Sequence, residues 1–79
     1  MVLSWGRGVF GQLGHGSLEN VTIPTPIEKL VKTHIHSVAC GWQHTMALTS
    51  LGRVFTWGYG EDGQLGHSDA NDQIHPKEI

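Results

Sequence analysis

The stretch Trp57-Gly58-Tyr59-Gly60-Glu61-Asp62-Gly63-Gln64-Leu65-Gly66-His67 has a second copy earlier in the chain, Trp5-Gly6-Arg7-Gly8-Val9-Phe10-Gly11-Gln12-Leu13-Gly14-His15. The copies stand 52 residues apart, and at that offset residues 1–27 align with 53–79 without a gap. Eleven of the 27 aligned pairs are identical, including Val2/Val54, Pro24/Pro76 and Ile27/Ile79 outside the quoted block. A repeat of this kind is one supersecondary unit that buries its apolar face against neighbouring copies. The 79 residues hold about 1.5 periods, fewer than the roughly three that a stable stack needs.

Strand signals fill the period. Arg53 to Trp57 alternates, with Phe55 and Trp57 on one face and Val54 and Thr56 on the other. His44 to Thr49 alternates as well, setting Met46 and Leu48 opposite Thr45 and Ala47. Ser50-Leu51-Gly52 joins these two runs as a tight hairpin turn, in which Gly52 supplies a positive φ. Ile35 to Cys40 reads as a third strand, and Pro26 to Val31 as a fourth with proline at its start. No stretch holds helical apolar spacing over three turns. The expected fold is all-β: antiparallel four-stranded blades of an incomplete β-propeller, an architecture that protects sheet edges by radial repetition. Residues 1–27 are read as the end of one repeat with its connection, and 28–79 as one nearly complete further period.

Composition narrows the function classes. Five Lys/Arg against seven Asp/Glu give a formal charge of −2, with no basic run to attract nucleic acid or anionic lipid. Cys40 is the only cysteine, which excludes an internal disulfide and a thiolate zinc cage built from this chain alone. No apolar run approaches the roughly 20 residues of a membrane helix, and no secretory pattern opens the chain. A cytoplasmic or nuclear location is expected.

The repeated Trp-Gly…Gly-Gln-Leu-Gly block, with Val38-Ala39-Cys40-Gly41 and His44-Thr45-Met46-Ala47-Leu48, resembles the regulator of chromosome condensation repeat. The likeness covers essentially the whole chain. It implies a seven-bladed propeller, of which this chain supplies about a fifth, the remaining blades coming in cis or in trans. Leu51 departs from the family pattern, which has Asp or Asn before the turn glycine; the departure puts an apolar side chain at an exposed hairpin tip.

Several patterns suggest chemistry and fail on mechanism. Gly6-Arg7-Gly8-Val9-Phe10-Gly11 matches a dinucleotide fingerprint, but Gly14, Gly16, Pro24 and Pro26 leave no room for the helix that would face a pyrophosphate. His34, His36, Cys40 and His44 follow no established zinc spacing, and His44 reads as a structural hydrogen-bonding residue. Asp69-Ala70-Asn71-Asp72 opens like a calcium loop but has Ile74 where the turn glycine belongs. No catalytic, cofactor or metal residue is assigned, and no enzyme is expected.

Three functional readings follow. The first is a protein–protein interaction module, with Trp42, Gln43, Glu61, Asp62, Asp69 and Asp72 as the candidate partner-contact residues. The resemblance implies a small GTPase or chromatin as partner, in a parent that is an exchange factor, a ubiquitin-ligase repeat domain or a scaffold. The second is a UV-B photoreceptor-like segment, because Gly41-Trp42-Gln43-His44-Thr45 is similar to a Gly-Trp-Arg-His-Thr motif of the photoreceptor built on this propeller. Here Trp42 is kept, but Gln43 replaces the always-charged, bidentate arginine. The third is an orphan fragment with no function of its own, unstable or self-associating because its inter-blade faces are bare.

Overall fold

A computed structural model describes residues 1–61, 63–67 and 71–79. Among these residues six strands follow in order: β1 (Leu3–Gly6), β2 (Val21–Pro26), β3 (Ile35–Cys40), β4 (His44–Thr49), β5 (Val54–Gly58) and β6 (Gln73–Glu78). They form a two-stranded sheet, β1-β2, and a four-stranded antiparallel sheet in the order β3-β4-β5-β6. The fold is all-β and propeller-like, as the alternating runs imply.

The 52-residue offset survives in three dimensions down to the register. Leu3 pairs with Pro26, Ser4 with Thr25 and Gly6 with Val21; 52 residues later Phe55 pairs with Glu78, Thr56 with Lys77 and Gly58 with Gln73. Both ladders slip at the same place, between Ser4 and Gly6 and between Thr56 and Gly58. The β1-β2 sheet therefore repeats the β5-β6 half of the larger sheet.

The strand expected over Pro26–Val31 is not one. Pro26 closes β2, and the Ile27 N–H donates to the Val2 carbonyl at 2.9 Å as the last bond of that ladder. Glu28–Leu30 then forms a single 3-10 turn. With three residues per turn, Ile27 and Leu30 fall on one side, and both are buried. The fourth strand of the blade is β6, where Pro76 sits on an outer edge that needs no donor from it.

The core lies between the two sheets. Ile27, Leu30, Ala47 and Trp57 are its buried members, with Val2, Ile35 and Phe55 packed against them. Full burial of each large side chain contributes about 1.5–3 kcal/mol. The Trp57 indole N–H donates to the Gln12 carbonyl at 2.9 Å, and the Thr45 hydroxyl donates to the same oxygen at 2.9 Å. A loop of the first repeat is thus fastened to two strands of the second.

The glycine-rich loops are shaped by close approach of main chain to main chain. A Cβ on Gly8 would stand 2.0 Å from the Glu19 carbonyl oxygen, and one on Gly60 would stand 2.1 Å from that of Asn71. A side-chain oxygen closes each loop: Asn20 Oδ1 accepts the Gly8 N–H and Asp72 Oδ1 accepts the Gly60 N–H, both at 2.9 Å. The Ser4 and Thr56 hydroxyls donate to the Leu13 and Leu65 carbonyls at 2.7 Å. Each hydroxyl oxygen also lies 2.8 Å from a histidine Nε2, of His15 and His67. With the hydroxyl proton spent on the carbonyl, the histidine nitrogen is the donor in that contact.

Candidate interaction surface

The connections β1-to-β2, β3-to-β4 and β5-to-β6 all emerge at one end of the two sheets, since antiparallel strands return there. Trp42 and Gln43 lie in the β3–β4 connection, and Glu61 and Asp72 in the β5–β6 connection. Asp62 and Asp69 belong to that connection in sequence and lie outside the described residues.

Main-chain bonds hold these positions. The Gly41 N–H donates to the His44 carbonyl at 2.9 Å, closing the β3–β4 turn with Trp42 at its tip. Trp42 is 98% exposed. The Gln43 carbonyl accepts the Tyr59 N–H at 2.8 Å, which extends the β4–β5 ladder beyond Gly58. The Tyr59 hydroxyl donates to Glu61 Oε2 at 2.9 Å. Gln43, Tyr59 and Glu61 are brought together, and Asp72 joins them through the Gly60 N–H. The Asp72 carboxylate is therefore partly engaged in holding its own loop, as the Asn20 amide is in the first repeat.

Sequence reasoning missed one element of this end. The Phe10 and Tyr59 rings meet edge to face at 5.1 Å, and the Arg7 guanidinium carbon lies 5.9 Å from the Phe10 ring centre. Edge-to-face and cation–π geometry are both favourable. Arg7, Phe10, Tyr59 and Glu61 thus form a ridge that crosses from one repeat to the next. Arg7 and Tyr59 are the same repeat position, so the offset alone gives no hint that position 10 of one copy reaches position 59 of the other.

Charge is also sorted by end. Glu19, Glu61 and Asp72 sit with Arg7 in the glycine-rich connections, while Lys29, Lys32, Arg53 and Lys77 sit with Glu28 and Glu78 toward the opposite end. There Arg53 meets Glu78 at 3.6 Å in an exposed pair, worth ~1 kcal/mol at most. Among the described residues, no three His, Cys, Asp or Glu side chains converge on one point.

All three tryptophans line one cavity of about 390 Å³ between β1 and the inner strands of the larger sheet. They differ in cover: Trp57 is fully buried, Trp5 is 56% exposed and Trp42 stands at the rim.

Comparison with known proteins agrees with this geometry. The regulator of chromosome condensation (RCC1) repeat pattern matches residues 1–48 and 52–79, and a second pattern for the same repeat matches 35–64. The human E3 ubiquitin-protein ligase HERC2 is 49% identical over 78 residues, covering 99% of this chain and 2% of that protein. The Ultraviolet-B receptor UVR8 of Arabidopsis thaliana is 44% identical over 78 residues, 99% of this chain and 18% of the receptor. Prp20p of Saccharomyces cerevisiae, whose structure is described with its binding properties to Gsp1p and histones, superposes with a TM-score of 0.71 at 25% identity. That superposition covers 98% of this chain and 22% of Prp20p. The chain spans less than a quarter of the length of each of these proteins. No helix among the described residues is long and apolar enough to cross a membrane.

Proposed function

The chain belongs to the regulator of chromosome condensation repeat family, and from that premise we propose that it is a protein–protein interaction segment of a β-propeller, not an enzyme. Residues 1–27 close one repeat and 28–79 make up nearly all of another. The partner contact is made at the glycine-rich end by Trp42, Gln43, Glu61 and Asp72, together with the Arg7–Phe10–Tyr59 ridge. The observation that carries this reading is Trp42, a large aromatic residue 98% exposed at the tip of a turn that main-chain bonds hold in place. Exposed aromatic anchors on fixed turns are what interfaces use, because little side-chain entropy is lost on binding.

The acidic character of this end favours a partner with a basic face. A small GTPase or chromatin is the partner class that family likeness suggests, and the Gsp1p and histone binding described for Prp20p supports it. A cytoplasmic or nuclear location follows from such partners. The test is binding of a purified small GTPase and of core histones, measured separately with the parent propeller and with Trp42→Ala and Glu61→Lys variants. Loss of roughly tenfold or more in affinity in either variant, with unchanged secondary structure, supports the assignment. Equal affinity in all three overturns it.

A second reading, a UV-B-responsive segment, is favoured by the meeting of Trp5, Trp42 and Trp57 on one cavity. Gln43 counts against it, because a neutral amide forms neither the ion pair nor the cation–π contact of an arginine. Illumination of the parent in the indole band, with oligomeric state followed, decides between the two. No change in oligomeric state sinks the second reading.

A further inference from the structure

At the end opposite Trp42, the β4–β5 turn lies against the segment that leads into β3. A cavity of about 310 Å³ opens between them, within the roughly 300–1,000 Å³ of ligand pockets. Lys32 and His34 line it from the segment and Arg53 from the turn, and no carboxylate among the described residues joins them. Every lining residue belongs to the one period 28–79. The chain has no basic run, because these three groups come from two separate stretches of sequence that the fold brings to one place.

Hydrogen bonds fix both sides of the cavity. The Ser50 N–H donates to the His34 carbonyl at 3.0 Å, which ties the turn to the segment. The Thr33 N–H donates to the carbonyl of buried Leu30 at 3.1 Å. Within the turn, the Thr49 hydroxyl oxygen accepts the Arg53 N–H at 3.0 Å and the Leu51 N–H at 3.3 Å. Arg53 Nε lies 3.6 Å from Glu78 Oε2 with both side chains exposed, too long for a hydrogen bond and a weak ion pair. The five-donor guanidinium therefore keeps donors for a further anion. Leu51, 87% exposed, and Phe55 add an apolar wall. The Asp of the repeat pattern at position 51 would repel an anion here, and leucine does not.

We propose that Lys32, His34 and Arg53 form an anion pocket for a phosphorylated serine or threonine of a partner protein, with an adjacent apolar residue of that partner packed on Leu51 and Phe55. A phosphoryl group brings a charge of about −1.5 to −2 and three acceptor oxygens. Two full cations, an imidazole and the Thr33 and Ser50 hydroxyls supply donors for all three oxygens, more than one carboxylate can use. The arginine fork holds two oxygens at once, and the lysine adds a point charge. An extended polyanion fits less well. Glu28 and Glu78 stand at the same end of the sheets and would meet its neighbouring charges, whereas a single group reaching into the pocket avoids them. The site lies away from Trp42 and Glu61 and does not depend on the contact assigned to them.

The probe is a fluorescent peptide, Gly-Leu-phosphoserine-Leu-Gly, titrated into the parent propeller and followed by anisotropy. Saturable binding is expected, about tenfold or more tighter than for the unphosphorylated twin and weakened by salt. Lys32→Glu and Arg53→Glu are each expected to weaken it by about tenfold or more with unchanged secondary structure. Lys77→Glu makes the same change of charge outside the pocket and is expected to weaken it by less than about twofold. Equal binding of the twin, no loss in Lys32→Glu, or an equal loss in Lys77→Glu overturns the proposal. A glutamate peptide that binds as tightly overturns the phosphoryl assignment. Inorganic phosphate that displaces the peptide at equal concentration overturns the partner-protein assignment, because Leu51 and Phe55 then contribute nothing. The contact at Trp42 and Glu61 is scored with a small GTPase and histones, so either reading can fail without the other.

Discussion

The Trp57 indole N–H and the Gln12 carbonyl, 45 residues apart in sequence, meet at 2.9 Å across the boundary between the two sheets. Trp57→Phe keeps most of the ring volume and leaves that carbonyl with the Thr45 hydroxyl alone, at an expected cost of about 1–2 kcal/mol. Trp5→Phe at the exposed copy is expected to cost less than ~0.5 kcal/mol. Hydrogen exchange over 54–58 and over 2–6, compared between the two variants, reads the difference; equal effects would contradict the burial contrast.

Thr56 and Ser4 make the same pair of contacts in successive repeats. Thr56→Val strands the buried Leu65 carbonyl and is expected to cost about 1–3 kcal/mol. Thr56→Ser retains the hydroxyl and is expected to recover most of that loss. A serine variant as damaged as the valine variant in exchange or proteolysis would show that the methyl group, not the hydroxyl, matters.

Gly60 and Gly52 are expected to respond differently to substitution. Gly52 has a positive φ of 83° and open space around it, so Gly52→Asn, which tolerates the left-handed region, is nearly neutral. At Gly60 a Cβ runs into the Asn71 carbonyl, which is main chain and cannot swing away. Gly60→Ala is therefore expected to open the β5–β6 loop, seen as faster exchange and new protease cleavage between residues 59 and 73. An intact loop in that variant would refute the close approach.

Asp72→Asn separates loop closure from partner contact. Asn20 closes the equivalent loop in the first repeat, so the amide preserves the fold while removing a charge. Unchanged protection with weaker partner binding at low salt would place the carboxylate in the interface. Unchanged binding would confine Asp72 to holding its loop.

The 79-residue chain alone is expected to melt broadly or to self-associate, since Leu3, Trp5, Val38 and Met46 are all exposed. Sedimentation and calorimetry check this. A monomer with a sharp cooperative transition would refute it.

How much of this was legible in the sequence varied with the kind of interaction. Ile35–Cys40 and His44–Thr49 stand out by alternation, and both are strands with those bounds. The turn at Gly52 is equally plain, closed by the Gly52 N–H on the Thr49 carbonyl. Pro26–Val31 misled, because a proline suits the start of a strand, whereas the three-residue spacing of Ile27 and Leu30 is that of the 3-10 turn observed. The different cover of Trp5 and Trp57 has no local signal at all, since identical residues in identical motifs differ only in what stands beside them. The ridge from Arg7 to Glu61 was hidden for a related reason: it joins different positions of different copies. Of the acidic candidates, Glu61 and Asp72 have defined contacts, and those contacts depend on loop closure that composition does not reveal.

The double acceptance at Gln12 has a consequence for how such chains can change. Both donors, Thr45 and Trp57, come from the later repeat, and the acceptor is a main-chain oxygen of the earlier one. The joint is directional, like a row of hooks that always catch the link in front. The catch reads backbone, which leaves the Gln12 side chain to shape the loop itself, its Oε1 accepting the Phe10 N–H at 2.8 Å. Links of this design can be exchanged, added or lost within an array without retuning their neighbours, provided the glycine-shaped loop keeps its path.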